Sequence, residues 1–402
     1  MKKILIFSLN YHPFIGGAEI AIQEITDRIS PGEYEFHLIA PWYDSALPKE
    51  EKIGNVTVHR IGLRTKHPAI EDLKRLPLNL NKKLYQLLAV WEAERLHRKH
   101  GFAMTWAMIA HSCAIPAGIF KKRHPEVKYL LTLQEGDPPE YIEQLMKPVW
   151  PLFVQGFARA DALQPISNFL LAWGKRMGFE GLARVIPNAV DTRKFGAAFA
   201  PDAVAAMKER LGKKEGDVFL VTTSRLVHKN AVDDVLRVLP LLPENVSFLI
   251  YGIGPDEAML RSLAKELGVE QRARFMGQIA HADMPLMLAA CDIFVRPSRS
   301  EGMGNSFIEA MAAGLPVIAT QEGGIADFLF DAKRDPDRQP TGWAVDADAP
   351  EQIAAAVRSI RAEPDRARAT IATARAMVAE KYDWNAIAAS MRALFDELLN
   401  PA

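Results

Sequence analysis

Short runs of apolar and β-branched residues alternate along the chain with longer stretches of helical periodicity. In the first half, Ile4–Leu9, Glu35–Ala40, Val56–Ile61, Met104–Ala110 and Val127–Leu133 are predicted strands, with helical patterns at Ala18–Ile29 and Leu73–Arg98. The rhythm restarts in the second half, where strands are predicted at Val218–Thr223, Val246–Tyr251, Ala273–Met276, Ile293–Arg296 and Pro316–Thr320. Such alternation predicts a parallel sheet with helices on both faces. Its occurrence twice predicts an α/β chain of two doubly wound, Rossmann-like domains. The strand-like Arg184–Ile186 gives way to Pro187 and then to Gly-, Ala- and Pro-rich and polar sequence as far as Gly216. The expected division is therefore 1–195 and 196–383, with ligand bound in a central cleft at the carboxyl ends of the strands.

Composition narrows the class. A chain of 402 residues is longer than one hydrophobic core usually serves. Its 49% hydrophobic and 24% charged residues exclude a largely disordered, collagen-like or coiled-coil protein. The two cysteines, Cys113 and Cys291, cannot build a Cys-based zinc site and read as small buried hydrophobes in a reducing compartment. Met1-Lys2-Lys3 and the short apolar run after it stop at Asn10, too early for a secretory core. No stretch approaches the roughly 20 apolar residues of a membrane span, so a soluble, cytoplasmic protein with at most a surface attachment to membrane is expected.

The charge balance, 49 basic against 49 acidic, predicts no bulk affinity for nucleic acid. It is nevertheless a cancellation. Residues 1–200 carry 26 Lys/Arg and 20 Asp/Glu, a net of +6, and residues 201–402 carry 23 and 29, a net of −6. Within residues 60–128 the tally is 14 to 5, or +9. There Lys74, Arg75, Lys82 and Lys83 stand beside Leu73, Leu76, Leu80, Leu84 and Leu87. That mixture fits either a helix lying on an anionic membrane or an ordinary amphipathic helix with its leucines packed on the sheet.

Five features could carry chemistry. Gly16-Gly17, between the first strand and the first helix, would let backbone N–H groups approach a phosphate, or is a plain Gly-rich turn. Arg225 and Lys229 follow the first strand of the second half and are suited to clamping a diphosphate, or are solvated loop charges. From Glu301 through Gly302, Met303, Gly304, Asn305 and Ser306 to Glu309, a Gly-rich loop runs into a helix N-terminus. Its carboxylates could accept hydrogen bonds from sugar and ribose hydroxyls, although Ser306-Phe-Ile-Glu309 also has the spacing of a capping box. In Asp346-Ala-Asp348, Asp348 reads as a helix N-cap rather than a metal ligand, and no other group shows convincing metal spacing. His111 ends a predicted strand on the cleft side.

Together these motifs resemble the family-4 group of retaining glycosyltransferases with the GT-B fold. Glu301 to Glu309 fits that family's E-x7-E, Arg225 and Lys229 fit its R-x3-K clamp, and Tyr251-Gly252-Ile-Gly254-Pro255 fits its glycine turn. The similarity is also visible at Ile166-Ser167, at Ile186–Asp191 and near Tyr382-Asp383-Trp384. The resemblance implies transfer of a hexose-type sugar from a nucleoside diphosphate sugar to a sugar or lipid-linked acceptor, with no metal or other cofactor. It implies that Arg225 and Lys229 neutralise the diphosphate, with the Gly16-Gly17 loop closing over it. Glu309 would hold the ribose, Glu301 the sugar, and Gly302–Ser306 would line the pocket, with His111 near the reacting centre. The last helix, Asp383–Leu399, is expected to pack back on the first domain. Three residues depart from the family pattern: Gln134 and Ile109 stand where histidines are frequent, and Ala189 replaces a glycine. Two other classes remain open, a nucleotide-sugar hydrolase or epimerase on the same fold and a non-catalytic nucleotide-sugar-binding protein. A nicotinamide oxidoreductase is disfavoured, because neither domain carries a complete dinucleotide fingerprint.

Overall fold

The computed structural model describes residues 1–400, save the side chains of residues 70 and 71. The chain divides into two compact units, one of Met1–Asn188 with the chain from Trp384 onward, the other of Ala189–Asp383.

The first unit is built on eight strands: β1 (Lys2–Phe7), β2 (Tyr34–Pro41), β3 (Glu50–Ile53), β4 (Val56–Ile61), β5 (Met104–Met108), β6 (Lys128–Leu133), β7 (Ala162–Pro165) and β8 (Leu182–Ala183). They form one sheet in the order β3-β4-β2-β1-β5-β6-β7-β8, parallel except where β3 runs antiparallel to β4. Ile4 to Phe7 are wholly buried, as expected of a strand covered on both faces. The helix Trp384–Leu399 packs on this unit beside Gly17–Arg28, setting Phe395 against Tyr34, Phe36 and Trp106.

The second unit carries β9 (Val218–Thr223), β10 (Val246–Tyr251), β11 (Ala273–Gly277), β12 (Ile293–Arg296), β13 (Val317–Ala319) and β14 (Trp343–Ala344). Their spatial order is β11-β10-β9-β12-β13-β14, all parallel. Counted within the unit this is 3-2-1-4-5-6, the doubly wound order whose direction of winding reverses between its first and fourth strands. The loops after β9 and β12 flank that switch point, as those after β1 and β5 do in the first unit.

Three local expectations are corrected. The helical pattern at Leu73–Arg98 is broken by Pro77: turns at Ile70–Lys74 and Leu78–Leu80 precede a helix running from Asn81 to His100. The strand expected at Arg184–Ile186 is β8, Leu182–Ala183, which ends just before that run, although Arg184 and Ile186 still donate to the carbonyls of Leu163 and Pro165 in β7. Asp348 does not cap the helix Pro350–Ala362, whose N-cap is Ala349. Asp348 has a φ of +56° and gives its carboxylate to Arg299, 2.7 Å away, while Asp346 pairs with Arg334 at 2.9 Å.

Candidate active site

In the second unit, two strand ends are locked together by backbone. After β9, Ser224 N–H donates to Tyr251 O, and Leu226 N–H to Ile253 O. The strands' continuations lie so close that a Cβ on Gly252, whose φ is +139°, would stand 1.8 Å from the Ser224 carbonyl oxygen. One on Gly254 would stand 2.1 Å from that of Leu226. The glycine turn therefore serves close backbone approach, and it fixes where Arg225 leaves the chain. Arg225 is exposed and, with Thr223, Gly252, His281, Ser306 and Glu309, lines a cavity of about 240 Å³. The hydroxyls of Thr223 and Ser224, both residues of its lining, are buried without a partner among the described residues.

The opposite wall is the start of the helix Asn305–Ala312. Its N-cap, Gly304, takes a φ of +89° and no side chain caps it, so the first-turn N–H groups and the positive end of the dipole face outward. The capping box expected from Ser306 and Glu309 does not form. The helix begins two residues earlier than that spacing requires, Glu309 lies beyond the first turn, and its carboxylate bonds His281 at 3.0 Å. Glu309 thus has no capping role and stands at the cavity wall.

Glu301 is buried behind that wall. It pairs with Arg296, the last residue of β12, whose guanidinium also donates to Ser306 Oγ at 2.6 Å and Asn230 Oδ1 at 3.0 Å. Asn230 in turn donates from Nδ2 to the Arg225 carbonyl at 2.6 Å. One buried guanidinium therefore ties together the Arg225 loop, the Glu301 loop and the helix start. Lys229, half-buried in the turn His228–Asn230, is positioned differently: Arg299 N–H donates to its carbonyl at 2.7 Å, and the Arg299 guanidinium to that of His228. Neither Lys229 nor Glu301 lines the cavity, and of the expected lining Gly302–Ser306 only Ser306 does, Met303 being buried.

Sequence reasoning missed Arg296, Asn230 and His281. Arg296 left one visible signal, a charge closing an otherwise apolar strand. The other two left none.

In the first unit, Gly16 is the N-cap of Gly17–Arg28, but its N–H already donates to Glu19 Oε2 at 2.7 Å. Burial raises the Glu19 carboxyl above its ordinary range in spite of that bond. His111 lies in the first turn of Ala110–Arg123, directly after β5. Its Nδ1 is buried without a hydrogen bond among the described residues, 3.8 Å from the buried Glu135, whose Oε1 accepts from Ala110 N–H at 2.5 Å. Ile109 takes a φ of +67°, a costly conformation for a β-branched residue and worth about 1–3 kcal/mol of strain. Gln134 exchanges side-chain hydrogen bonds with Asn188 at 3.1 and 3.2 Å. Two other motif residues have local structural roles: Ser167 caps Asn168–Arg176, and Asp191 caps Thr192–Phe195.

The family model described as Glycosyltransferase Family 4 matches residues 15–194, and that described as Glycosyl transferases group 1 matches residues 204–377. A GDP-mannose-dependent alpha-(1-6)-phosphatidylinositol monomannoside mannosyltransferase of Mycolicibacterium smegmatis is 34% identical over 54% of this chain. The match spans 56% of that enzyme, about half the length of the relative. The alpha-monoglucosyldiacylglycerol synthase of Acholeplasma laidlawii is 23% identical over 82% of this chain and 83% of its own. Among solved structures, sucrose-phosphate synthase of Thermosynechococcus elongatus superposes over both whole chains with a TM-score of 0.79 at 20% identity. Anabaena HepE in complex with UDP does so over 99% of this chain and all of its own, with a TM-score of 0.77 at 18% identity.

Proposed function

The chain belongs to the group 1 glycosyltransferases of the GT-B fold, and from that membership we propose a retaining transfer of a hexose from a nucleoside diphosphate sugar to an acceptor hydroxyl, in glycan, glycolipid or cell-envelope polysaccharide synthesis. The observation that carries the donor side is the convergence of Arg225, Ser306 and Glu309 on one cavity, with the uncapped helix start in its wall. Arg225 and Lys229 neutralise the departing diphosphate, and the helix start adds its dipole, so charge that develops in the transition state meets preorganised positive groups without a metal. The family resemblance gives Glu309, at the cavity wall, the ribose hydroxyls, Glu301 the hexose and His111 a role in the reaction; Glu301, turned to Arg296 here, must release that guanidinium to meet a sugar. The bond from the sugar's anomeric carbon to phosphate oxygen breaks, the bond to acceptor oxygen forms on the same face, and the acceptor's proton passes to a leaving diphosphate oxygen. No protein nucleophile is assigned.

A lipid-linked acceptor at an anionic membrane is part of this proposal. The exposed surface of the first unit supports it: Leu76, Leu80, Leu87, Leu88 and Trp91 all stand in solvent near the exposed Lys82 and Lys83. Trp91 also lines a cavity of about 500 Å³ that holds Lys49, Arg60, Arg64, Arg95, Arg98 and Glu92; Arg60 pairs with Glu51 and Arg95 with Glu92, so the surplus of positive charge offered to an anionic headgroup comes from Lys49, Arg64 and Arg98. Among the described residues no helix is long and apolar enough to cross a membrane.

The donor is tested by thermal shift with GDP-, UDP- and ADP-sugars. GDP-mannose comes first because the mycobacterial relative's name specifies it. One family of donors should raise the unfolding midpoint of the wild type and fail to raise that of Arg225→Ala. A midpoint unmoved by every nucleotide sugar would overturn the donor assignment.

A further inference from the structure

A row of ionisable side chains crosses one face of the first sheet, at the start of β1 and β2 and away from the strand ends that carry Gly16 and His111. Lys3 on β1 is the cross-strand partner of Glu35 on β2, His37 follows Glu35 on the same face, and Glu50 on β3 is the partner of His59 on β4. Three contacts run along this row. Glu35 Oε1 meets His37 Nε2 at 2.7 Å, His37 Nδ1 meets His59 Nε2 at 2.9 Å, and His59 Nδ1 meets Glu50 Oε2 at 3.2 Å.

Two of these contacts are hydrogen bonds, Glu35 to His37 and His37 to His59, and two neutral imidazoles supply a proton to each. A third polar atom converges on the first pair and is not satisfied. His100, the last residue of the helix Asn81–His100, has its Nε2 buried without a partner among the described residues, and the ligand atoms of Glu35, His37 and His100 all lie within 4.8 Å of one another. A proton between Glu35 and His37 leaves His100 Nε2 unpaired, whereas a metal ion takes a lone pair from each of the three.

We propose that Glu35, His37 and His100 bind a divalent transition-metal ion of the zinc class. Two imidazoles and a carboxylate are the donor set such ions favour, and a fourth position is left for water. His59 and Glu50 fix the His37 tautomer and ring orientation from behind, as hydrogen-bonded carboxylates and carbonyls do for most metal-bound histidines. Lys3, 3.4 Å from Glu35 Oε2, holds the other carboxylate oxygen and moderates the affinity. Donor atoms around tetrahedral zinc stand about 3.3 Å apart, so the Glu35–His37 pair opens by roughly half an ångström on binding while His100 draws in. The ion cross-links β2 to the end of the helix Asn81–His100, and its role is to hold the unit together rather than to take part in transfer.

The test uses the full chain stripped with a chelator and titrated with ZnCl2, and with CoCl2 for its visible absorption. The wild type should take up one equivalent at this site and show tetrahedral cobalt bands. His100→Ala, a change at a half-buried helix end whose folding is verified by circular dichroism, should bind at least tenfold more weakly and lose the bands. His124→Ala, which disrupts the neighbouring group His97, His124 and Glu126, should leave both unchanged. Absence of stoichiometric uptake by the wild type, uptake indifferent to His100→Ala, or uptake lost in His124→Ala instead would overturn the proposal.

Discussion

Arg299 serves three carboxylates with one guanidinium: Asp233 and Asp234 at 2.9 Å and Asp348 at 2.7 Å. The three do not share it equally. Burial would raise the Asp233 carboxyl, but its paired bonds to Arg299 outweigh that and hold it below its ordinary range. For Asp234 burial wins over Arg299, and the carboxyl is pushed up to about 6. A carboxyl whose pKa is higher in the folded than the unfolded chain stabilises the fold below the unfolded value, and that contribution is lost as pH rises through the folded one. Asp234→Asn should therefore gain stability relative to the wild type as pH rises from about 4 to beyond 6, by the order of 1–3 kcal/mol. Denaturant unfolding of both proteins at pH 4 and pH 7.5 measures this, and a difference independent of pH would contradict it. The same scale shows what the sequence could and could not reveal about the site. Arg225, Ser306 and Glu309, which meet at one cavity, were legible as candidates because their spacing is tied to strand ends and a helix start, while Glu301, chosen on the same pattern, lies buried off that cavity. Their supports were not legible, since Asn230 and His281 act through distances between segments 66 and 28 residues apart, which no local pattern records.

At the level of elements, buried strands were the legible part. Runs such as Val218–Thr223, buried at every position, are nearly continuous apolar sequence and match the observed strand residue for residue. Strands that escaped notice lack that signal. β3 is Glu-Glu-Lys-Ile on an antiparallel edge, β7 holds Gln164 and Pro165 within four buried residues, and β14 is two residues long. The helix Asn81–His100 shows how periodicity alone can mislead. Its sheet side is Tyr85, Ala89, Ala93 and Leu96, while Leu87, Leu88 and Trp91 form an exposed stripe, Trp91 being 80% exposed. An ordinary amphipathic helix would have buried the leucines, so the arrangement favours the membrane reading. The wild type should cosediment with anionic phosphatidylglycerol-containing vesicles at low ionic strength and be released by salt. Trp91→Ser with Leu87→Ser should weaken that binding about tenfold. Failure of the wild type to bind at low salt would restrict the acceptor to a soluble one.

Across the whole molecule, the formal charge of zero conceals a basic first half and an acidic second half. The basic excess belongs to the unit with the exposed leucine and tryptophan stripe, and the acidic half still presents Arg225 at its cavity. The basic excess is what the proposed contact with an anionic surface would draw on, whereas the net acidity of the other half leaves diphosphate binding to local groups, Arg225 and the helix start. The most direct test of these assignments is a turnover assay with the donor identified by thermal shift, run with and without a lipid-linked acceptor in anionic vesicles, on the wild type and on Arg225→Ala with Lys229→Ala. Transfer by the wild type that depends on acceptor, and a fall of about 1,000-fold in the folded double variant, are the expected results. Near-normal transfer by the double variant, or donor consumed equally fast without acceptor, would contradict the account.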